Sequence, residues 1–290
     1  MMARFHPFFA LQTIVILLAW LLIATSTRAE ERAVRVVSLG GGVTEIVYAL
    51  GEEERLVARD TTSNYPESVE ALPDVGYIRR LSAEGVLSVD PDLIIADEGA
   101  GPPEAVELLK SASIPIVWVP DGYSKEAVLT KITVVSEALG VAEKGKTLAD
   151  DLSAQIDAAV NGTKDMRKKR VLFVLSMAGG RIMAAGTGTS ADGIITLAGG
   201  KNAASAFEGW KPMTDEAIIE SGAEVILMMS GAGDRATSDE ELFSHPAIAA
   251  TPAGQNRTVL RMDGMLLTGF SVRTAEAIGD LANLLRQAGS

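Results

Sequence analysis

The sequence predicts an α/β protein made of two similar lobes with mainly parallel sheets, joined by a single long helix, with a ligand cleft between them. Three observations lead there. Short, nearly continuous apolar runs at 34–39, 93–96, 116–119 and 171–176 alternate with helical stretches, the pattern of parallel strands covered on both faces. An ungapped repeat sets residues 81–95 against 213–227. Residues 141–163 lack proline and carry Leu148, Leu152, Ile156 and Ala159 at three- and four-residue spacing, the signature of one long helix.

In chain order, residues 1–7 carry Arg4, residues 8–24 are apolar apart from Gln12 and Thr13, and Thr27-Arg28-Ala29 offers small residues at the −3 and −1 positions of a cleavage site. Residues 1–29 are therefore expected to be a cleaved export signal. The uninterrupted apolar core, 14–24, is shorter than the roughly 20 residues a membrane span needs. Residues 30–140 form the first lobe. Its strand 34–39 runs into Gly40-Gly41-Gly42 and a helix at 43–50 closed by Gly51. The connector, 141–163, leads to the second lobe, 164–290. There the pattern restarts with a strand at 171–176, glycines at 179–180 and a helix at 190–197 closed by Gly199-Gly200. A helical connector resists hinge bending, so closure motions should be small. Ligand is expected at the loops after the carboxyl ends of the strands.

The formal charge is −12, and loss of Arg4 and Arg28 with the leader makes the mature chain two units more negative. That balance argues against nucleic acid and anionic lipid as partners. There are no cysteines, hence no disulfide frame, no thiolate metal site, no catalytic thiol and no residue for a lipid anchor. A soluble exported chain without membrane insertion fits a Gram-negative periplasm.

The segment 72–85 is the most informative. Tyr77 follows Gly76 in a turn, Arg79 and Arg80 follow it, and a helix capped by Ser82 begins beyond. Positive charge beside a phenol favours the phenolate, a hard oxygen ligand for ferric iron and a known axial ligand of haem. On the residues alone a second reading stands, an ordinary half-buried loop aromatic with solvated arginines. Just upstream of the repeat, Gly76-Tyr77 is echoed by Gly209-Trp210, with Arg79 and Lys211 following. Each copy has a hydroxyl N-cap and an acid in the first helical turn, Glu84 and Glu216, which the helix dipole alone would favour.

The segments 38–51, 76–85, 183–186 and 262–270 together resemble the periplasmic binding proteins of ATP-driven importers with a helical backbone, which carry cobalamin, ferric siderophores and haem. The likeness covers about 34–285, and the Gly76-Tyr77-Ile78-Arg79 loop resembles the haem-binding members most. That resemblance implies a transported ligand, haem b, bound through Tyr77 as iron ligand with Arg79 stabilising its phenolate. It implies no catalysis. Arg59, Lys211 and Arg235 are candidates for the haem propionates, and Met177 for an apolar wall where some relatives carry a histidine. Of the two histidines, His6 leaves with the leader and His245 reads as a turn residue far from the motif loops, so histidine ligation is not expected. Glu84 and Glu216, one per lobe, are expected to dock on the two-fold permease dimer of an ABC importer with its cytoplasmic ATPase; an outer-membrane haem receptor system upstream is a further expectation. A ferric siderophore or cobalamin is the alternative ligand in the same fold. A dinucleotide-dependent enzyme is the remote one, since Gly40-x-Gly42-x-x-Glu45 ends in glutamate instead of the small residue that lets helix and strand approach.

Overall fold

The structure, a computed structural model, describes residues 34–230 and 237–288. The expected leader, 1–29, and Arg235 lie outside the described residues.

Four strands build the first sheet: β1 (Val36–Leu39), β2 (Leu56–Arg59), β3 (Leu93–Asp97) and β4 (Ile116–Val119), all parallel in the order β2-β1-β3-β4. β1 is buried along its whole length, which is why it reads as an unbroken apolar run instead of an alternating one. Around this sheet lie α1 (Gly41–Ala49), α2 (Ala83–Leu87) and α3 (Pro103–Ser111). The expected connector is α5 (Ala142–Asn161), which packs against α4 (Lys125–Ala138).

The second sheet contains β5 (Arg170–Ala178), β6 (Arg181–Ala185), β8 (Trp210–Pro212), β9 (Val225–Ser230) and β10 (Val259–Asp263) in the order β10-β9-β5-β6-β8, with the two-residue β7 (Lys201–Asn202) also on β5. β5, β7, β9 and β10 are parallel, whereas β6 and β8 are antiparallel additions. The expected loop at 176–180 is in fact the end of β5 and a two-residue hairpin turn. Gly179 and Gly180 have φ of 61° and 74°, and two consecutive left-handed residues make the turn whose twist matches an antiparallel pair. Helices α6 (Ser190–Leu197), α7 (Asp215–Ser221), α8 (Asp239–Ser244), α9 (Pro246–Ala249), α10 (Pro252–Gln255), α11 (Gly264–Thr268) and α12 (Thr274–Gln287) complete the lobe.

Both repeat copies fold alike. Ser82 and Thr214 cap α2 and α7 by accepting from Gly85 N and Ala217 N, each at 3.3 Å, and the following strands β3 and β9 begin at the aligned residues Leu93 and Val225. Each lobe buries its own apolar cluster, around Val37, Leu39 and Ile94 in the first and around Leu172, Val174 and Ile226 in the second.

The lobes also touch directly. Glu45 on α1 is 3% exposed and takes Arg273 in a two-pronged ion pair, with Nε to Oε2 at 3.1 Å, while Ser271 donates to the same carboxylate. Burial opposes the Arg273 charge, but Glu45 outweighs it and raises the guanidinium pKa. The same guanidinium stacks on Tyr65, 3.7 Å from the ring centre. Gly41 and Gly42 make the approach possible, because a Cβ there would fall 2.3 Å from Met265 Cε and 2.7 Å from the Gly269 carbonyl oxygen. Glycines that looked like a nucleotide turn thus serve the packing of one lobe on the other.

Candidate functional site: the cleft between the lobes

A cavity of about 800 Å³ opens between the loops at the carboxyl ends of both sheets, within the size range of small-molecule and cofactor sites. A smaller hollow of about 360 Å³ beside β10 and α12 is lined by none of the candidate site residues.

The Tyr77 loop is held from both sides. Val75, Ile78 and Leu81 are buried in the first-lobe core, while Tyr77 is 40% exposed and faces the cavity. Main-chain bonds lace the loop to the end of β2: Arg59 N to Pro73 O at 3.0 Å, Val75 N to Arg59 O at 2.9 Å and Thr61 N to Gly76 O at 3.0 Å. Asp74 completes the lacing, accepting from Gly76 N at 2.8 Å, Thr61 Oγ1 at 3.1 Å and Arg59 Nη1 at 3.2 Å. Gly76, with φ of 102°, supplies the turn that a side chain would resist.

Trp210 reaches the cavity from the opposite lobe, 39% exposed and braced edge-on by Phe173 with ring centres 5.6 Å apart. The two aromatics that echo each other upstream of the repeat therefore share one cleft. Arg79 lines it as well. Its guanidinium stands over Gly99, where an added Cβ would lie 3.5 Å from both Nη atoms.

The other sequence candidates go elsewhere. Arg59 does not line the cavity; bonded to Asp74 and to the Asp60 carbonyl, it supports the Tyr77 loop. Lys211 follows Trp210 on β8 but is exposed and outside the lining, as the alternation of strand side chains dictates. Met177, half-buried opposite Ile182, packs on the second-lobe core and is no wall of the cleft. Leu175 takes that place, because the β5–β6 register shifts between Val174 and Ser176, and such a bulge re-aims a side chain. Glu84 and Glu216 are exposed on α2 and α7, away from the cavity lining. His245 is nearer the motif loops than expected: its Nε2 donates to the Gly180 carbonyl at 3.0 Å, at the tip of the β5–β6 hairpin, although it does not line the cleft.

Four titratable residues missed in the sequence line the first-lobe wall: Asp97, Asp121, Tyr123 and Lys131. Burial, with Asp121 adding to it, raises the Asp97 pKa against the opposing pull of the Gly99 N–H, Lys131 and Arg79. Tyr123 is pushed up to about 12, first by burial and then by Asp121, to which its hydroxyl donates at 3.0 Å. Tyr123 thus stays a neutral donor. Lys131 had a readable signal, since it falls on the buried stripe of α4 with Val128, Ile132 and Val135. A lysine on an apolar face has a local reason to be there.

Residues 36–266 match the periplasmic binding protein family. Among curated proteins, the chain is 30% identical to an uncharacterised ABC transporter substrate-binding lipoprotein, YvrC, of Bacillus subtilis (strain 168), covering 86% of this chain and 78% of that one. It is 28% identical to the vitamin B12-binding protein of Yersinia pestis (strain Pestoides F), over 72% and 74% of the two chains. Among solved structures, the periplasmic haem-binding protein RhuT from Roseiflexus sp. RS-1 superposes with a TM-score of 0.84 at 36% identity, covering 88% of this chain and 99% of that one. The periplasmic haem-binding protein BhuT, solved in complex with two haems, gives 0.82 at 36% identity over 88% and 98%. With its two-lobed fold, its inter-lobe cleft and a match spanning most of its length, this chain belongs to the periplasmic binding protein family, the substrate-binding components that serve the permease and ATPase of ABC importers.

Proposed function

We propose that this protein captures haem b in the periplasm through a bond from the Tyr77 phenolate to ferric iron and delivers it to an inner-membrane ABC importer. The observation that carries the reading is Tyr77 itself: an exposed phenol on a cross-braced loop, facing a cavity of about 800 Å³ with Trp210 opposite. A ferric ion prefers a hard anionic oxygen. The second cleft tyrosine is unsuited to that task, being committed to Asp121 with its pKa pushed up to about 12. Trp210 offers a flat face to a planar macrocycle, and Arg79 brings positive charge to the same wall. The haem-binding proteins RhuT and BhuT, each 36% identical to this chain, support the ligand assignment. Glu84 and Glu216 are exposed one on each lobe, an arrangement suited to a permease with two equivalent halves.

A second reading, capture of a corrinoid, draws on the 28% identity to a vitamin B12-binding protein. One experiment separates the two. The mature protein is titrated with hemin and, separately, with cobalamin, while absorbance is recorded for wild type and Tyr77→Ala. A tyrosinate-to-iron charge-transfer band that disappears in the variant is expected. Saturable cobalamin binding without a hemin response would replace haem as the ligand, and an unchanged hemin spectrum in Tyr77→Ala would remove Tyr77 as the iron ligand.

A further inference from the structure

Lys131 is 3% exposed, surrounded on α4 by the fully buried Val128, Ile132 and Val135, yet it lines the inter-lobe cavity. An ammonium withdrawn from water is costly unless it is paired and hydrogen-bonded. Its nearest carboxylate oxygen is Asp97 Oδ2 at 3.8 Å, beyond hydrogen-bond range. The other oxygens of the two neighbouring carboxylates are engaged elsewhere. Asp97 Oδ1 takes the Gly99 N–H at 2.9 Å, and Asp121 takes the Gly122 N–H and the Tyr123 hydroxyl, each at 3.0 Å. Arg79, from the segment after Tyr77, adds a second positive charge on the same wall. The result is a buried cation facing the ligand space, with a carboxylate close by but no hydrogen-bonded partner among the described residues.

We propose that Lys131 is the carboxylate-binding group of the cleft, a first-lobe subsite for one acidic side arm of the ligand, and that Asp97 is its resident competitor. The arriving carboxylate takes the ammonium at hydrogen-bond distance, and Asp97, whose ionised form is already disfavoured by burial, yields it. This inference rests on the haem reading for the identity of the acid, a propionate arm. It replaces the sequence-based candidates Arg59 and Lys211, neither of which lines the cavity. A charge-assisted hydrogen bond is shorter and stronger than a neutral one, so the subsite would orient the macrocycle as well as hold it.

The test uses metal-free protoporphyrin IX and its dimethyl ester, which share a ring and differ only in the acid groups, and neither needs an iron ligand. Affinities are read by fluorescence titration of the full protein as wild type, Lys131→Met, Lys131→Arg and Asp97→Asn. Wild type should prefer the acid over the ester by about tenfold or more, the size of a hydrogen bond to a charged group. Lys131→Met should erase most of that preference and Lys131→Arg restore part of it, a rescue that a purely structural lysine would not give. Asp97→Asn should tighten the acid several-fold and leave the ester unchanged. Equal wild-type affinity for acid and ester, or a preference that survives Lys131→Met, overturns the subsite. Discrimination by wild type together with a hemin spectrum indifferent to Tyr77→Ala would keep the subsite and remove the iron ligand. Failure to bind either porphyrin would overturn the subsite, while a hemin charge-transfer band lost in Tyr77→Ala would still keep the iron ligand.

Discussion

The two lobes carry the same helix-turn-strand unit, but they present their cleft aromatics differently. Tyr77 stands on a loop laced to β2 by main-chain bonds and Asp74, with its ring unbraced by another aromatic among the described residues. Trp210 belongs to β8, the antiparallel edge strand, and its ring leans on Phe173 from β5. The shared unit (α2 to β3, α7 to β9) fixes where each aromatic enters the cleft. The unshared edge, parallel β2 in one lobe and the antiparallel pair β6 and β8 in the other, fixes how it is held. One lobe therefore offers a polar atom on a firm loop, the other a flat apolar face on a strand.

The comparison can be broken most severely at the junction. Arg273→Ala leaves the Glu45 carboxylate buried without its partner, a change that costs about 3–5 kcal/mol and should lower the melting temperature by on the order of 10 °C. Calorimetry should still record one transition; two would mean that the lobes melt independently and that the likeness between them extends to autonomy.

Next in size is the division of labour between the aromatics. Tyr77→Phe keeps the ring and deletes the ligating oxygen, so hemin affinity should fall by about 100-fold or more and the charge-transfer band should vanish. Trp210→Ala should cost about tenfold, a stacking contribution, and leave the band in place. Equal losses at both sites would show that the lobes grip the ligand in the same manner.

Charge reversal at Glu84 or Glu216 should leave hemin affinity unchanged and reduce stimulation of the reconstituted importer's ATPase by about two- to fivefold each, the size of an exposed ion pair. The losses should shrink in high salt, which screens such pairs. A large effect at one glutamate and none at the other would mean that the permease reads the lobes unequally.

The smallest effect concerns Asp97. Its pKa in the folded chain lies above the ordinary value, about 3.9 in the unfolded one, so the folded state binds the proton more tightly. The associated stability is complete below the unfolded value and is lost as pH rises through the folded one. Asp97→Asn has no such loss. The difference in melting temperature should therefore move in the variant's favour as pH rises above the ordinary aspartate value. A difference independent of pH would place its origin in packing.

Most of the fold was legible because buried parallel strands write themselves as apolar runs: residues 116–119 and the helix 190–197 have the bounds expected of them. The end of β5 was not, since Ser176-Met177-Ala178 leading into Gly179-Gly180 reads equally as a loop until β6 arrives to pair with it. At the site, Tyr77, Arg79 and the pairing with Trp210 followed from local sequence and from the repeat. Arg59 and Lys211 could not be placed that way, because a cation's direction depends on a partner (Asp74) or on strand alternation that local spacing does not define. The acidic wall formed by Asp97 and Asp121 was invisible for a related reason. It is assembled from the ends of β3 and the loop after β4, which only the parallel pairing of these strands brings together.

Asp60 shows what this architecture shuts out. Fully buried, it accepts hydrogen bonds from Gly40 N at 2.9 Å, from Thr62 N at 2.9 Å and Oγ1 at 2.6 Å, and from Ser63 Oγ at 2.7 Å. Strand-glycine-helix turns of this type elsewhere receive phosphate on their free amides. Here the chain furnishes its own carboxylate at the entrance to α1: Asp60 takes the Gly40 amide and Thr62 Oγ1 that of Gly41, so two amides that would face a small anion are already engaged. A small anion would meet those two amides occupied, which leaves recognition of a cargo to the cleft beyond the turn.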